Sequence, residues 1–323
     1  MESSSPTTPI ILQSSPHLVG SRTTTRIMAG VILLLLPLVA AGTYFFGLGA
    51  LLRVAVATAS AMATEFVFLK LRRKDVSAVW DGSAAITGIL LALTLPPTVP
   101  LFQVVLGSVV AIGIGKQVFG GLGYNIFNPA LVGRAFLQAS FPVDMTTWVK
   151  PFFFKLDVIS TATPLGGFKF SGDLTPLKNL AFGNVGGCIG ETSALLILIC
   201  GGLLLLLKLA DWRIPAGIFL SVIVFSGTLH LIDPQKYADP LFYLLSGGLM
   251  LGAFFMATDM VSSPVTPLGS FIYGAGIGVV LLIIRIFGGL PEGVMYSILF
   301  MNAFVPLLNR YTTPKIFGER RSL

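Results

Sequence analysis

Few residues in this 323-residue chain have the chemistry to do more than pack. Three hydroxyls fall within four positions in Asp157-Val-Ile-Ser160-Thr161-Ala162-Thr163-Pro164-Leu165. Proline disfavours the helical region for the residue before it, so Thr163 is expected on an extended turn with its hydroxyl accessible. An ordinary Ser/Thr-rich turn gives the same pattern without any chemistry. A second candidate is Gly115–Ala130, where Asn128 and Pro129 read as the cap and first turn of a helix, and Gly120, Gly121 and Gly123 allow close backbone approach. A helix start at membrane depth offers free N–H donors to a polar or anionic group; a capped helix break with no ligand reads the same.

Ionisable side chains inside apolar segments are costly and are read first as functional. Glu65 and Asp259 are of that kind and suit a cation ligand or proton carrier. The plainer expectation pairs Glu65 with Arg134 or a nearer neighbour and has Asp259 cap a helix. Arg285 and Glu292 stand near the outer boundary and are expected to reach for water. Cys188 and Cys200 have no CxxC or Cys/His companions, and His17 and His230 are isolated, so no metal centre is expected within this chain. No GxGxxG follows a strand pattern, so no nicotinamide site is expected, and no catalytic residue is assigned.

These groups sit in a chain that is 54% apolar and 11% charged, against about 25% charged in soluble domains. The apolar residues fall in blocks of about 20, the length of a membrane crossing. The chain is therefore expected to be an all-α integral membrane protein in contact with lipid. The net charge of +7 comes from basic residues beside apolar blocks, as in Lys70-Leu-Arg72-Arg73-Lys74. That pattern sets membrane topology and argues against nucleic acid.

About ten spans are expected, near 27–46, 48–69, 83–95, 101–116, 128–141, 192–207, 215–232, 240–257, 269–286 and 293–309. The third to fifth are short and broken by Gly and Pro, as interrupted helices lining a buried cavity would be. Residues 1–26 form a polar arm, 27–141 a first five-helix unit, 142–191 an extracytoplasmic loop, 192–309 a second unit and 310–323 a tail. Thirteen of the 21 lysines and arginines then lie on one side, which places both termini in the cytoplasm. The two units resemble each other. Gly88-Ile-Leu-Leu-Ala-Leu-Thr94 matches Gly252-Ala-Phe-Phe-Met-Ala-Thr258, Pro97-Thr-Val-Pro100 matches Pro264-Val-Thr-Pro267, and Phe119-Gly-Gly-Leu122 recurs as Phe287-Gly-Gly-Leu290. Five spans per copy make the repeat inverted, with the site expected where the broken helices meet. A solute channel or transporter without redox chemistry would have the same layout.

Ser160-Thr161-Ala162-Thr163 resembles the flavinylation motif of two related ion pumps, a Ser/Thr-Gly-Ala-Thr run whose last Thr is esterified to the phosphate of FMN. These are the Rnf-type ferredoxin:NAD⁺ oxidoreductase, in its D subunit, and the Na⁺-translocating NADH:quinone oxidoreductase, in its B subunit. Ser15-Pro16-His17, Gly115–Ala130 and Ala257–Pro264 extend the resemblance in order along most of the chain. The short N-terminal arm is closer to the D subunit; the B subunit is the alternative. Thr161 stands where the motif has Gly, adding a second hydroxyl. The resemblance implies covalent FMN on Thr163, with Ser160 and Thr161 beside it, and a non-covalent riboflavin near Asn125 and Asn128. It also implies the other subunits of the complex as partners, one of them a second carrier of covalent FMN. Electron flow from ferredoxin to NAD⁺ would drive Na⁺ or H⁺ across the cytoplasmic membrane of a prokaryote, with no activity in the isolated chain.

Overall fold

A computed structural model describes residues 23–152, 162–191 and 193–314; Ser160 and Thr161 lie outside the described residues. The described residues are helical throughout, with one isolated bridge residue at Val149 and no extended strand. Four helices are long and apolar enough to cross a membrane: α1 (Thr24–Phe46), α2 (Leu48–Leu71), α10 (Arg213–Ile232) and α13 (Pro267–Phe287). The single residue Gly47, at φ 80°, reverses the chain between α1 and α2, a conformation that a side chain would strain. Leu33, Phe102, Leu198 and Phe300 lie exposed on helix faces, which lipid satisfies and water does not. The chain is a multi-pass membrane protein.

Short helices fill the space between the long ones. After α2 a 3₁₀ turn (Val76–Asp81) leads into α3 (Ser83–Leu93), which stops at Thr94 because Pro96 and Pro97 cannot continue it. The chain re-enters as α4 (Leu101–Ile112), runs on through a π turn at Gly113–Gln117, and turns into α5 (Pro129–Ser140). The segment 142–191 carries α6 (Pro142–Thr146), α7 (Pro164–Ser171) and α8 (Leu177–Phe182) before α9 (Ala194–Leu206) and α10. Next come α11 (Pro240–Leu245), then α12 (Leu249–Leu251) continuing as a π turn at Gly252–Met256, a proline-containing break, α13 and α14 (Val294–Tyr311).

The apolar block 240–257, expected as one span, is thus two helices. The chain breaks at Ser246–Gly248, where Gly247 has φ 64°. Hydropathy does not register the break, because the residues on both sides are apolar.

Small residues let helices touch backbone to backbone, the usual way to pack where lipid removes the hydrophobic drive between helices. A Cβ at Gly274 on α13 would come 2.3 Å from Ile214 O on α10, and one at Gly88 on α3 would come 2.7 Å from Ala57 O on α2. The end of the 142–191 segment is tied to the α3 break by two backbone bonds, Ile189 N–H to Leu95 O (3.1 Å) and Gly190 N–H to Leu93 O (2.8 Å). One continuous apolar core, running from Leu35 through Leu91 and Phe254 to Leu281, joins the first and last helices.

Candidate functional site

Thr163 is the N-cap of α7, in extended conformation as Pro164 requires. Its Oγ1 accepts a hydrogen bond from the Gly166 N–H at 3.1 Å. It is buried, 4% exposed, so the hydroxyl faces the interior of the protein and not the bulk solvent. A Cβ at Gly166 would lie 3.2 Å from Thr163 Oγ1; the glycine leaves the space beside the hydroxyl open.

The space that Thr163 faces is a cavity of about 420 Å³. That volume falls within the range of about 300–1,000 Å³ typical of small-molecule sites. Leu131, Met145, Trp148 and Met295 give it apolar walls, and Arg134, Glu191 and Glu292 supply charge. Arg134, on α5, organises the polar side. Its guanidinium donates to Thr94 O (2.5 Å), Cys188 Sγ (3.4 Å) and Glu292 Oε2 (3.1 Å), and lies 3.6 Å from Glu191 Oε1. A positive charge at the carbonyl end of the broken helix α3 is the arrangement that the helix dipole favours.

α7 is held from its other end by Lys169, whose ammonium donates to the carbonyls of Arg285 (2.8 Å), Gly288 and Leu290 (3.2 Å). Those carbonyls belong to the C-terminus of α13 and the turn after it, where a cation satisfies acceptors left open by the helix end. Lys169 was not singled out in the sequence; a lysine six residues beyond a capping threonine gives no signal until α13 is placed beside it.

Two boundary expectations are corrected. Arg285 does not reach for water: it is 4% exposed and donates to Tyr243 O (2.6 Å) and Ser246 O (2.9 Å), closing the break before α12. Glu292 turns inward to pair with Arg134. Glu191, at the end of the 142–191 segment, was also missed. Its position one residue before an apolar block was the available sign.

On the opposite side, Glu65 pairs with a near neighbour and not with Arg134. Lys116 Nζ lies 2.5 Å from Glu65 Oε1 and donates to Ser83 Oγ at 2.6 Å, and Gln117 donates to the same Glu65 oxygen at 2.9 Å. Lys116, the last residue of the expected 101–116 span, is 2% exposed. Asn128 caps α5 through Leu131 N–H (3.3 Å) and donates to Met256 O (3.0 Å) across to the second half. Asp259 accepts from Ser262 Oγ (2.8 Å) in the turn that follows.

Asn125, Asn128, Asp259 and Lys116 line a second cavity of about 80 Å³. That is well below the roughly 300 Å³ at which small-molecule sites begin, so these residues as they stand do not fit a riboflavin.

Sequence comparison places these features in context. Residues 11–318 match the model of the NQR2, RnfD, RnfE family. The chain is 47% identical over 314 residues to the D subunit of the Na⁺-translocating ferredoxin:NAD⁺ oxidoreductase complex of Acetobacterium woodii, covering 96% of this chain and 95% of the relative. It is 42% identical to the D subunit of the proton-translocating ferredoxin:NAD⁺ oxidoreductase complex of Clostridium ljungdahlii, covering 96% of each. It is 41% identical to the D subunit of the ion-translocating oxidoreductase complex of Yersinia pseudotuberculosis, covering 96% of this chain and 98% of the relative.

Proposed function

This chain belongs to the NQR2, RnfD, RnfE family, and on that premise we propose that it is the D-type membrane subunit of an ion-translocating ferredoxin:NAD⁺ oxidoreductase complex. The D-type assignment over the quinone-reductase B subunit rests on relatives named as D subunits along nearly the full length of the chain. The chain holds FMN through a phosphoester on Thr163 and passes electrons while the complex moves Na⁺ or H⁺. Its partners are the other subunits, one of them a second carrier of covalent FMN, and both its termini are cytoplasmic. The observation that carries the flavin assignment is the Thr163 hydroxyl at a helix N-terminus, opening onto a cavity of small-molecule size.

The residues present fit such a group. A phosphate on Thr163 would sit at the first turn of α7, where the Gly166 N–H already points at the attachment oxygen, the helix dipole favours an anion and Gly166 leaves room. Bound there, the flavin supplies the redox chemistry, and the protein supplies placement and electrostatics. Leu131, Trp148 and Met295 give the cavity apolar walls, Arg134 provides a fixed positive charge, and Lys169 holds the attachment turn against α13.

The element order also favours an inverted repeat of two five-helix units. In each half two long or apolar helices (α1–α2, α9–α10) precede a short element, then a helix ending at a break (α3, α12), then α4–α5 or α13–α14. Of the acidic groups on the inner side, we assign the ion path to Glu65, whose Oε2 has no partner, ahead of Asp259, whose carboxylate caps a turn.

The test is intact mass and in-gel flavin fluorescence of the denatured chain, made in a host able to attach flavin. The unmodified chain should carry an added FMN mass that Thr163→Val loses. An unmodified chain without flavin would favour a transporter without a redox role; flavin persisting in the variant would move the attachment to Thr161. Ferredoxin-driven transport in vesicles, with and without Na⁺, identifies the ion.

A further inference from the structure

The cavity beneath Thr163 contains two carboxylates that its hydrogen bonds leave half satisfied. Glu191 has a side chain only 5% exposed, and its Oε2 has no partner. Glu292, 20% exposed, likewise has an unpartnered buried oxygen, Oε1. An oxygen of each and Cys188 Sγ all lie within 4.8 Å of one another. Two ionised carboxylates at that range repel, and a buried carboxylate oxygen without a donor is costly. Arg134 serves one oxygen of each and leaves the other two open.

The missing partner is a donor, and its identity follows from the neighbours. The titratable and charged groups facing Glu191 are Arg134 from α5, Cys188 from its own segment, Arg285 from α13 and Glu292 from the approach to α14. Tyr296 lines the same cavity from α14, and Tyr243 from α11 stands beside Arg285. From the α12 side Gly248, Leu251 and Met256 bring no charge, and a Cβ at Gly248 would come 2.4 Å from Glu191 Oε1. Two arginines already face two glutamates, so a divalent ion would add two charges to the cluster where a proton adds one. The thiol, which burial keeps well above its ordinary pKa, is a poor ligand for a hard cation.

We propose that Glu191 and Glu292 form a proton-holding site, one proton shared between the two carboxyls and exchanged when a negative charge enters the cavity beside Thr163. The proton turns an unpartnered acceptor into a donor and removes the repulsion in one step. The direction agrees: burial first, then the Glu292 charge, push the Glu191 carboxyl up to about 7, against the pull of Arg134. The shared proton stands on the carboxyl pair alone; its exchange on reduction rests on the flavin reading above. There, one electron delivered by a low-potential donor such as reduced ferredoxin would be matched by one proton bound from the outer solution, so that the cavity keeps its net charge.

The first measurement is a pH titration of the purified, oxidised complex by infrared difference spectroscopy, which reads protonated carboxyl directly and needs no flavin. A carboxyl signal titrating near neutral pH, absent in Glu191→Gln, is expected. Glu292→Gln removes the like charge and should move the titration to lower pH, a shift that a packing role alone would not produce. The second measurement is the cofactor's midpoint potential, which should depend on pH in the unmodified complex and lose that dependence in Glu191→Gln. A signal absent from the unmodified complex, or unchanged in both variants, would overturn the proposal, as would one abolished by Na⁺ at constant pH. Absence of covalent flavin in the denatured chain would remove only the coupling to reduction.

Discussion

Lys116 is as buried as the leucines around it, and its ammonium pairs with Glu65 and donates to Ser83. Removing one member of a buried ion pair leaves the other uncompensated, at a cost of about 3–5 kcal/mol. Glu65→Gln is therefore expected to lower the melting temperature of the detergent-solubilised protein sharply. Glu65→Gln combined with Lys116→Met should recover most of the loss, and a single variant that melts like the unmodified chain would show that the pair contributes little. Composition and position marked Glu65 as a charge needing an explanation, but its partner had to wait for the fold. Lys116 sits at the end of an apolar block, where a charge facing water and a charge buried in the π turn read alike. Thr163 is the opposite case. Its extended backbone followed from Pro164 alone, since the constraint is local and steric.

At the scale of elements, α7 begins at Thr163 and is too short to be stable by itself. It is held at its start by the Thr163 cap and beyond its middle by Lys169 on the carbonyls closing α13. Hydrogen bonds to a charged group contribute about 1.5–3 kcal/mol, so Lys169→Met should loosen α7 by an amount of that order. Hydrogen exchange of amides 165–171 should quicken at least tenfold while exchange in α2 and α10 stays unchanged; equal protection in the variant would show that α7 is held by its apolar contacts. Most helices were legible because apolar blocks and their proline punctuation are local signals. The break at Ser246–Gly248 was not, because it is made by Gly247 at positive φ and by Arg285 reaching two carbonyls from another helix. The same remoteness hid the inward turn of Glu292, whose partner Arg134 is half the chain away.

For the whole molecule, the two halves meet through a few polar ties laid over a continuous apolar core. Asn128 is one of them, capping α5 and donating to Met256 O in the second half. Asn128→Ala should cost about 1–2 kcal/mol for the cap alone and more for the lost tie. The melting temperature should fall, with faster exchange around 254–262; a change confined to α5 would mean that Asn128 serves only as a cap. The sequence by itself determined the membrane setting, the helical class, the breaks made by proline and the extended turn at Thr163. Each of those rests on local sterics or on the length of apolar runs, which no tertiary contact reverses. Only the tertiary structure decided which charges are partners, that Thr163 faces a cavity and not the solvent, and that the cavity lined by Asn125 and Asn128 is small. Those outcomes depend on distances between residues remote along the chain, and such distances exist only once the helices have packed.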